Sequence, residues 1–118
     1  MNNKIINTND VLSNLANILE SRLSEIDNDS NTKGSYTSQL FMNGPDAFLK
    51  KIGEESTELV MAAKDNISSK IVSEMADLWF HCLVLLSYYK LRPEDILVEL
   101  KRREGISGIT EKNSRTKI

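Results

Sequence analysis

The stretch GEESTEL, residues 53–59, holds Glu54, Glu55 and Glu58, and fifteen residues further on the stretch EMAD brings Glu74 and Asp77. Carboxylates three residues apart lie on one face of a helix. Two such pairs on antiparallel neighbours converge on the space between the helices, and an all-oxygen group of that kind suits a hard divalent cation, Mg²⁺ with Mn²⁺ as the second choice. A magnesium site keeps several waters and commonly engages the phosphates of a substrate.

Helical geometry separates the glutamates. At 100° per residue Glu55 falls about 60° from Ile52, inside the apolar stripe of Phe48, Ile52 and Leu59, while Glu58 lies at its edge and Glu54 on its flank. On the second segment Glu74 and Asp77 share a side with Leu78, His81, Leu85 and Tyr88. Burying one uncompensated carboxylate costs on the order of several kcal/mol, against a whole-domain margin of about 5 to 15 kcal/mol. Either a cation sits among these acids or some of them are protonated. The plainer alternative is a set of solvated acids paired with Lys50, Lys51, Lys64 and Lys70. That reading suits one such pair, which is common on any charged helix, better than two pairs on the apolar side of one hairpin.

The elements that must carry these residues are helical. Leu12, Leu15, Leu19, Leu23 and Ile26 recur at three- and four-residue spacing, predicting a helix over 10–27 with Asp10 as its N-cap. DNDSNTKG is a polar loop, and Tyr36, Leu40 and Phe41 predict a short helix over 35–42. Pro45 fits the first turn of a helix over 45–64. A further helix over 68–90 is apolar almost all round and has to be covered on most sides; so small a chain has too few helices for that, which predicts a dimer joined through a helix bundle. Pro93 opens a last helix over 93–104, stopped by Gly105, and 105–118 reads as a polar tail. The predicted fold class is all-α, with four to five helices per chain in one domain.

With 118 residues, 40% apolar and 27% charged, and a formal net charge of −2, the composition is that of a soluble domain with no general affinity for nucleic acid or membranes. Cys82 stands alone, so neither an internal disulfide nor a cysteine-based zinc cluster is expected. LVLLSYY is too short for a bilayer at about 20 residues per span, and the N-terminus has no sustained apolar run. A cytoplasmic protein is expected.

The order E55-S-T-E58, fifteen residues, E74-M-A-D77 resembles the all-α nucleoside triphosphate pyrophosphohydrolases, the group that includes MazG proteins and dimeric dUTPases. The blocks SYTSQLF, LKKIGEESTELVMAAK, EMADLWFHCLVLL, ILVELKRREGISG and EK with Arg115, spread from Ser35 to Arg115, are similar in order and spacing to the phosphoribosyl-ATP pyrophosphohydrolase family of histidine biosynthesis. The resemblance implies Mg²⁺-dependent hydrolysis of 1-(5-phosphoribosyl)-ATP to the AMP derivative and pyrophosphate by a homodimer. It also implies that Glu55, Glu58, Glu74 and Asp77 hold metal and that Glu54 matches an additional acid, which we read as orienting or deprotonating water, so that Glu54 and Glu55 are the expected catalytic pair. Arg92 stands where the family usually caps its last helix with Ser or Thr.

Lys50, Lys51, Lys64, Arg103, Lys112 and Arg115 are the expected phosphate-holding cations, with Lys51, one turn before Glu55 and Glu58, the best placed. Ser35, Tyr36 and Thr37 offer hydroxyls, although Tyr36 also suits a core. Ser107, Gly108, Glu111 and Lys112 resemble the family's C-terminal signature, and a flexible tail closing over substrate would suit them. His81, one turn after Asp77, reads as a hydrogen-bonded core residue more readily than as a base, and Trp79, Phe80, Tyr88 and Tyr89 read as packing residues. The alternatives are a house-cleaning pyrophosphohydrolase acting on free nucleotides such as dCTP or dUTP, and a non-catalytic helical dimerisation module.

Overall fold

The computed structural model describes residues 7–28 and 35–115 and is all-α. Its described residues form six helices: α1 (Val11–Asn28), α2 (Tyr36–Met42), α3 (Pro45–Lys64), α4 (Ser68–Tyr88), α5 (Pro93–Arg103) and α6 (Gly108–Arg115). The loop read as DNDSNTKG falls mostly outside the described residues.

Local chemistry sets the boundaries. Ser35 caps α2 by accepting from the Ser38 N–H at 3.3 Å. Gly44, at φ 80°, turns the chain into α3 through a backbone region open to glycine, and Pro45 follows in the first turn. Asp65, Asn66 and Ile67 reverse the chain between α3 and α4; Asn66 takes φ 57°, a left-handed conformation that asparagine tolerates better than most residues. So short a link makes α3 and α4 an antiparallel pair, and their contact is the most extensive between helices among the described residues.

α4 ends at Tyr88 rather than Lys90, because Lys90 takes φ 63° and the Leu91 N–H reaches back to the Leu86 carbonyl at 2.8 Å. At α5 the lost cap is replaced from within the helix: the Asp95 carboxylate accepts from the Arg92 N–H at 2.8 Å. The largest departure from the sequence reading is the tail, whose residues 108–115 are helical. Ser107 accepts from the Thr110 N–H at 3.1 Å at its start, and Glu111, 6% exposed, lies under Arg102 and Arg115. No apolar stripe announces this helix; a tertiary ion pair holds it.

Leu19, Leu40, Phe41, Phe48, Leu83 and Val84 form the core where α1, α2, α3 and α4 meet, flanked by Leu15, Leu23, Phe80 and Tyr88. Phe48 and Val84 are fully buried, and the Phe48 and Tyr88 rings lie 5.1 Å apart. Burial of one such aromatic stabilises by roughly 1.5 to 3 kcal/mol. The core therefore clamps α3 to α4 at one end and leaves their acids at the other. Trp79 and Tyr89 are exposed, a correction to their reading as packing residues, whereas Phe80 and Tyr88 do pack. α4 is also less covered than its composition demands: it is long and apolar enough to cross a bilayer by length and composition alone, with only 22% of its most apolar window buried.

Candidate metal centre

The α3–α4 pair brings Glu55, Glu58 and Glu74 together, with one carboxylate oxygen from each inside a group no more than 4.8 Å across. Glu55 is buried, Glu74 half-buried, and Glu58 and Glu54 are both exposed, so helical geometry set Glu55 deepest on α3, while the edge position it gave Glu58 brings no burial. Glu54 sits on the flank, where Lys51 Nζ lies 3.8 Å from its Oε1. Asp77 is exposed and stays outside the trio, although its charge still acts on Glu74.

The electrostatics of the trio are unbalanced. The Glu74 carboxyl is pushed above its ordinary range, first by a hydrogen bond with the Glu58 side chain, then by burial and by the charges of Glu58, Asp77 and Glu55. Among the described residues its buried Oε2 has no hydrogen-bond partner, although buried polar atoms normally find one. No lysine or arginine among the described residues pairs with Glu55, Glu58, Glu74 or Asp77. An orphaned carboxylate oxygen, converging acids and a purely oxygen donor set fit a hard divalent cation such as Mg²⁺. A cleft of about 320 Å³ opens beside Glu58 and Glu74, walled by Met61, Ala62, Lys70 and Ser73.

The other expected phosphate ligands are dispersed. Lys50 and Lys64 are exposed on α3, Lys112 and Arg115 are exposed on α6, and Arg103 donates to Glu99 at 2.9 Å. A larger cleft, about 510 Å³, lies at the opposite end between α1 and the α4–α5 turn. Its Arg92 is already engaged by Glu20 and Glu94, so the smaller cleft beside the unpaired acids is the chemically competent one.

Sequence reasoning placed His81 in the core but missed its partners. His81 is 6% exposed; its Nδ1 lies 2.6 Å from Glu55 Oε1 and 2.9 Å from the Asp77 carbonyl, and its Nε2 lies 2.8 Å from the Tyr36 hydroxyl. Tyr36 is a half-exposed residue, not a core one. The i+4 spacing from Asp77 to His81 signalled the local bond alone. Lys70, one turn before Glu74, was legible as a neighbour by the same spacing.

A family model described as phosphoribosyl-ATP pyrophosphohydrolase matches residues 13–104. The chain belongs to the phosphoribosyl-ATP pyrophosphohydrolase family. Among curated relatives, the phosphoribosyl-ATP pyrophosphatase of Bordetella avium is 62% identical over 106 residues, covering 90% of each chain. That of Bordetella parapertussis is 58% identical over the same length, and that of Albidiferax ferrireducens is 54% identical over 112 residues, covering 92% of this chain and 85% of its own. The acid trio and its cleft lie inside the segment that defines this pyrophosphohydrolase family, and α6 lies beyond it.

Proposed function

We propose that the chain hydrolyses phosphoribosyl-ATP to phosphoribosyl-AMP and pyrophosphate, the histidine-biosynthesis step for which its relatives are named, at the acid cluster between α3 and α4. The observation that carries the site assignment is the unpartnered, buried Oε2 of Glu74 among like charges. Glu55, Glu58 and Glu74 would hold Mg²⁺, or Mn²⁺ in its place, with Asp77 at the rim. Such an ion, when bound, neutralises and orients the triphosphate and acidifies a water.

The chain's own groups do the rest. Glu54, beside the trio, orients the attacking water and accepts its proton. The water oxygen bonds to phosphorus, the α–β anhydride breaks, and pyrophosphate leaves. Lys51 and Lys70 flank the acids on either helix and meet phosphate oxygens beyond the ion's reach, and Ser73 adds a hydroxyl to the cleft wall. Lys50, Lys64, Arg103 and Lys112 remain phosphate ligands of second rank, each needing a side-chain movement.

A homodimer accompanies this reading. Val72, Met75 and Trp79 are exposed on α4, and an apolar groove of about 340 Å³ runs past Cys82, Leu86, Ile96 and Leu97. A second copy would cover surface that a single chain leaves open. The lone Cys82 thiol, held protonated by burial, suits the reducing cytoplasm.

Pyrophosphate release from phosphoribosyl-ATP, measured beside a panel of free nucleoside triphosphates with and without Mg²⁺, tests the proposal. Turnover of phosphoribosyl-ATP that requires Mg²⁺ is expected. Turnover of dUTP or dCTP alone would transfer the site to the house-cleaning alternative.

A further inference from the structure

His81 is the only histidine in the chain, so its ring can be observed without interference from any other. Nδ1 faces two groups that only accept, the Glu55 carboxylate at 2.6 Å and the Asp77 carbonyl at 2.9 Å. A bare nitrogen there would oppose two oxygen lone pairs, so Nδ1 carries a proton whether the ring is neutral or charged. The Asp77 carbonyl belongs to the α4 backbone one turn earlier, which fixes the ring plane to the helix. Phe80 and Tyr36 meet the ring edge-on, at centroid distances of 5.2 and 5.9 Å, and the Tyr36 hydroxyl at 2.8 Å from Nε2 ties the far side to α2.

We infer that His81 is a positioning residue for Glu55: its Nδ1–H, aligned by the Asp77 carbonyl and braced by Tyr36, fixes the buried carboxylate in the orientation that meets Glu58 and Glu74. This rests on reading the acid cluster as a cation site. Glu55 is the deepest of the trio and, among the described residues, is reached by no lysine or arginine, so the imidazole is the donor that holds its oxygen in place. Groups that hydrogen-bond a metal-binding side chain set its orientation, and losing one typically costs about 10- to 100-fold in metal affinity or activity.

The decisive variants differ in where they put a donor. Asn at position 81 places its amide near the former Nδ1 and can still reach Glu55; Gln extends toward the former Nε2 and cannot; Phe supplies no donor. Mn²⁺ binding to each folded variant without substrate, followed by electron paramagnetic resonance, is expected to weaken about 10- to 100-fold in His81→Phe and to recover most of that loss in His81→Asn. The ¹⁵N spectrum of the wild-type ring is expected to show a protonated Nδ1, and Tyr36→Phe to move the Nε2 line while leaving the Nδ1 proton in place. A merely structural histidine would lower melting temperature without changing Mn²⁺ affinity in the folded fraction.

Wild-type affinity in His81→Phe, or a bare Nδ1 in the wild type, overturns the positioning role. If His81→Phe does not fold, the contrast between His81→Gln and His81→Asn decides: equal affinities overturn the role. Failure of the wild type to bind Mn²⁺ would instead sink the cation site itself, a result distinct from wild-type binding with an insensitive His81.

Discussion

Glu55 and Glu111 are both buried carboxylates, 8% and 6% exposed, in opposite company. Glu111 is met by Arg102 and Arg115, and Arg102 is shared with Glu99. Glu55 meets an imidazole and two further acids. The same contrast runs through the proton affinities: hydrogen bonds from Arg102 and then Arg103 hold the Glu99 carboxyl down to about 2, whereas the Glu58 side chain pushes Glu74 up. Acids that join helices come with their own arginines; the acids between α3 and α4 come with one another. No described lysine or arginine balances them, and a divalent cation would supply that charge.

The most direct way to break this contrast is to remove one acid from each region. Glu74→Gln deletes an expected cation ligand, and losing several kcal/mol of charge stabilisation corresponds to at least about a 100-fold fall in turnover. Pyrophosphate release measures that loss, and urea unfolding of the metal-free variant should show stability equal to or above wild type, since a like-charge contact has gone. Next in size, saturating Mg²⁺ should stabilise the wild type by about 2.7 kcal/mol at a hundredfold excess over the dissociation constant. Thermal denaturation should show no such gain in Glu74→Gln.

Glu111→Ala should do the reverse. It frees α6 and leaves Arg102 without one partner, costing about 1 to 2 kcal/mol after allowance for the half-exposed arginine, while Mg²⁺ binding stays at the wild-type level. Urea unfolding and calorimetry check the two halves.

A smaller effect separates the regions by pH. Glu94 is held down to about 2 first by the Ser13 hydroxyl and also by Arg92, and Glu99 to about 2 by Arg102 and Arg103. A depressed carboxyl contributes stability that is present above its unfolded value near 4.5 and is lost as pH falls toward 2. Glu74 has the opposite sign: in metal-free protein its contribution is present below about 4.5 and is lost as pH rises through its raised value. Glu99→Gln should flatten the acid limb of stability against pH and Glu74→Gln the opposite limb, as followed by circular dichroism. The smallest effect on stability belongs to Lys51→Gln, whose half-exposed pairing with Glu54 contributes less than about 1 kcal/mol, as urea unfolding would show.

How much of this was legible follows from where each signal lies. The α3–α4 hairpin was readable because Pro45, the DNISS break and the 3.6-residue apolar rhythm all act locally, and that rhythm also set Glu55 deeper than Glu54 and Glu58. The contact of His81 with Tyr36 spans 45 residues, and no periodicity encodes a pairing across so long a separation. α6 escaped notice because a tertiary ion pair at Glu111 stands in for an apolar stripe. The burial expected of Trp79 and Tyr89 failed for a different reason: no described helix packs over those two positions.

Calorimetric titration of Mg²⁺ into the metal-free protein, run beside Glu74→Gln and Glu111→Ala, tests the central claim most directly. Saturable binding to the wild type and to Glu111→Ala, abolished in Glu74→Gln, is the predicted result. Binding that persists unchanged in Glu74→Gln, or that is absent from the wild type, would contradict it.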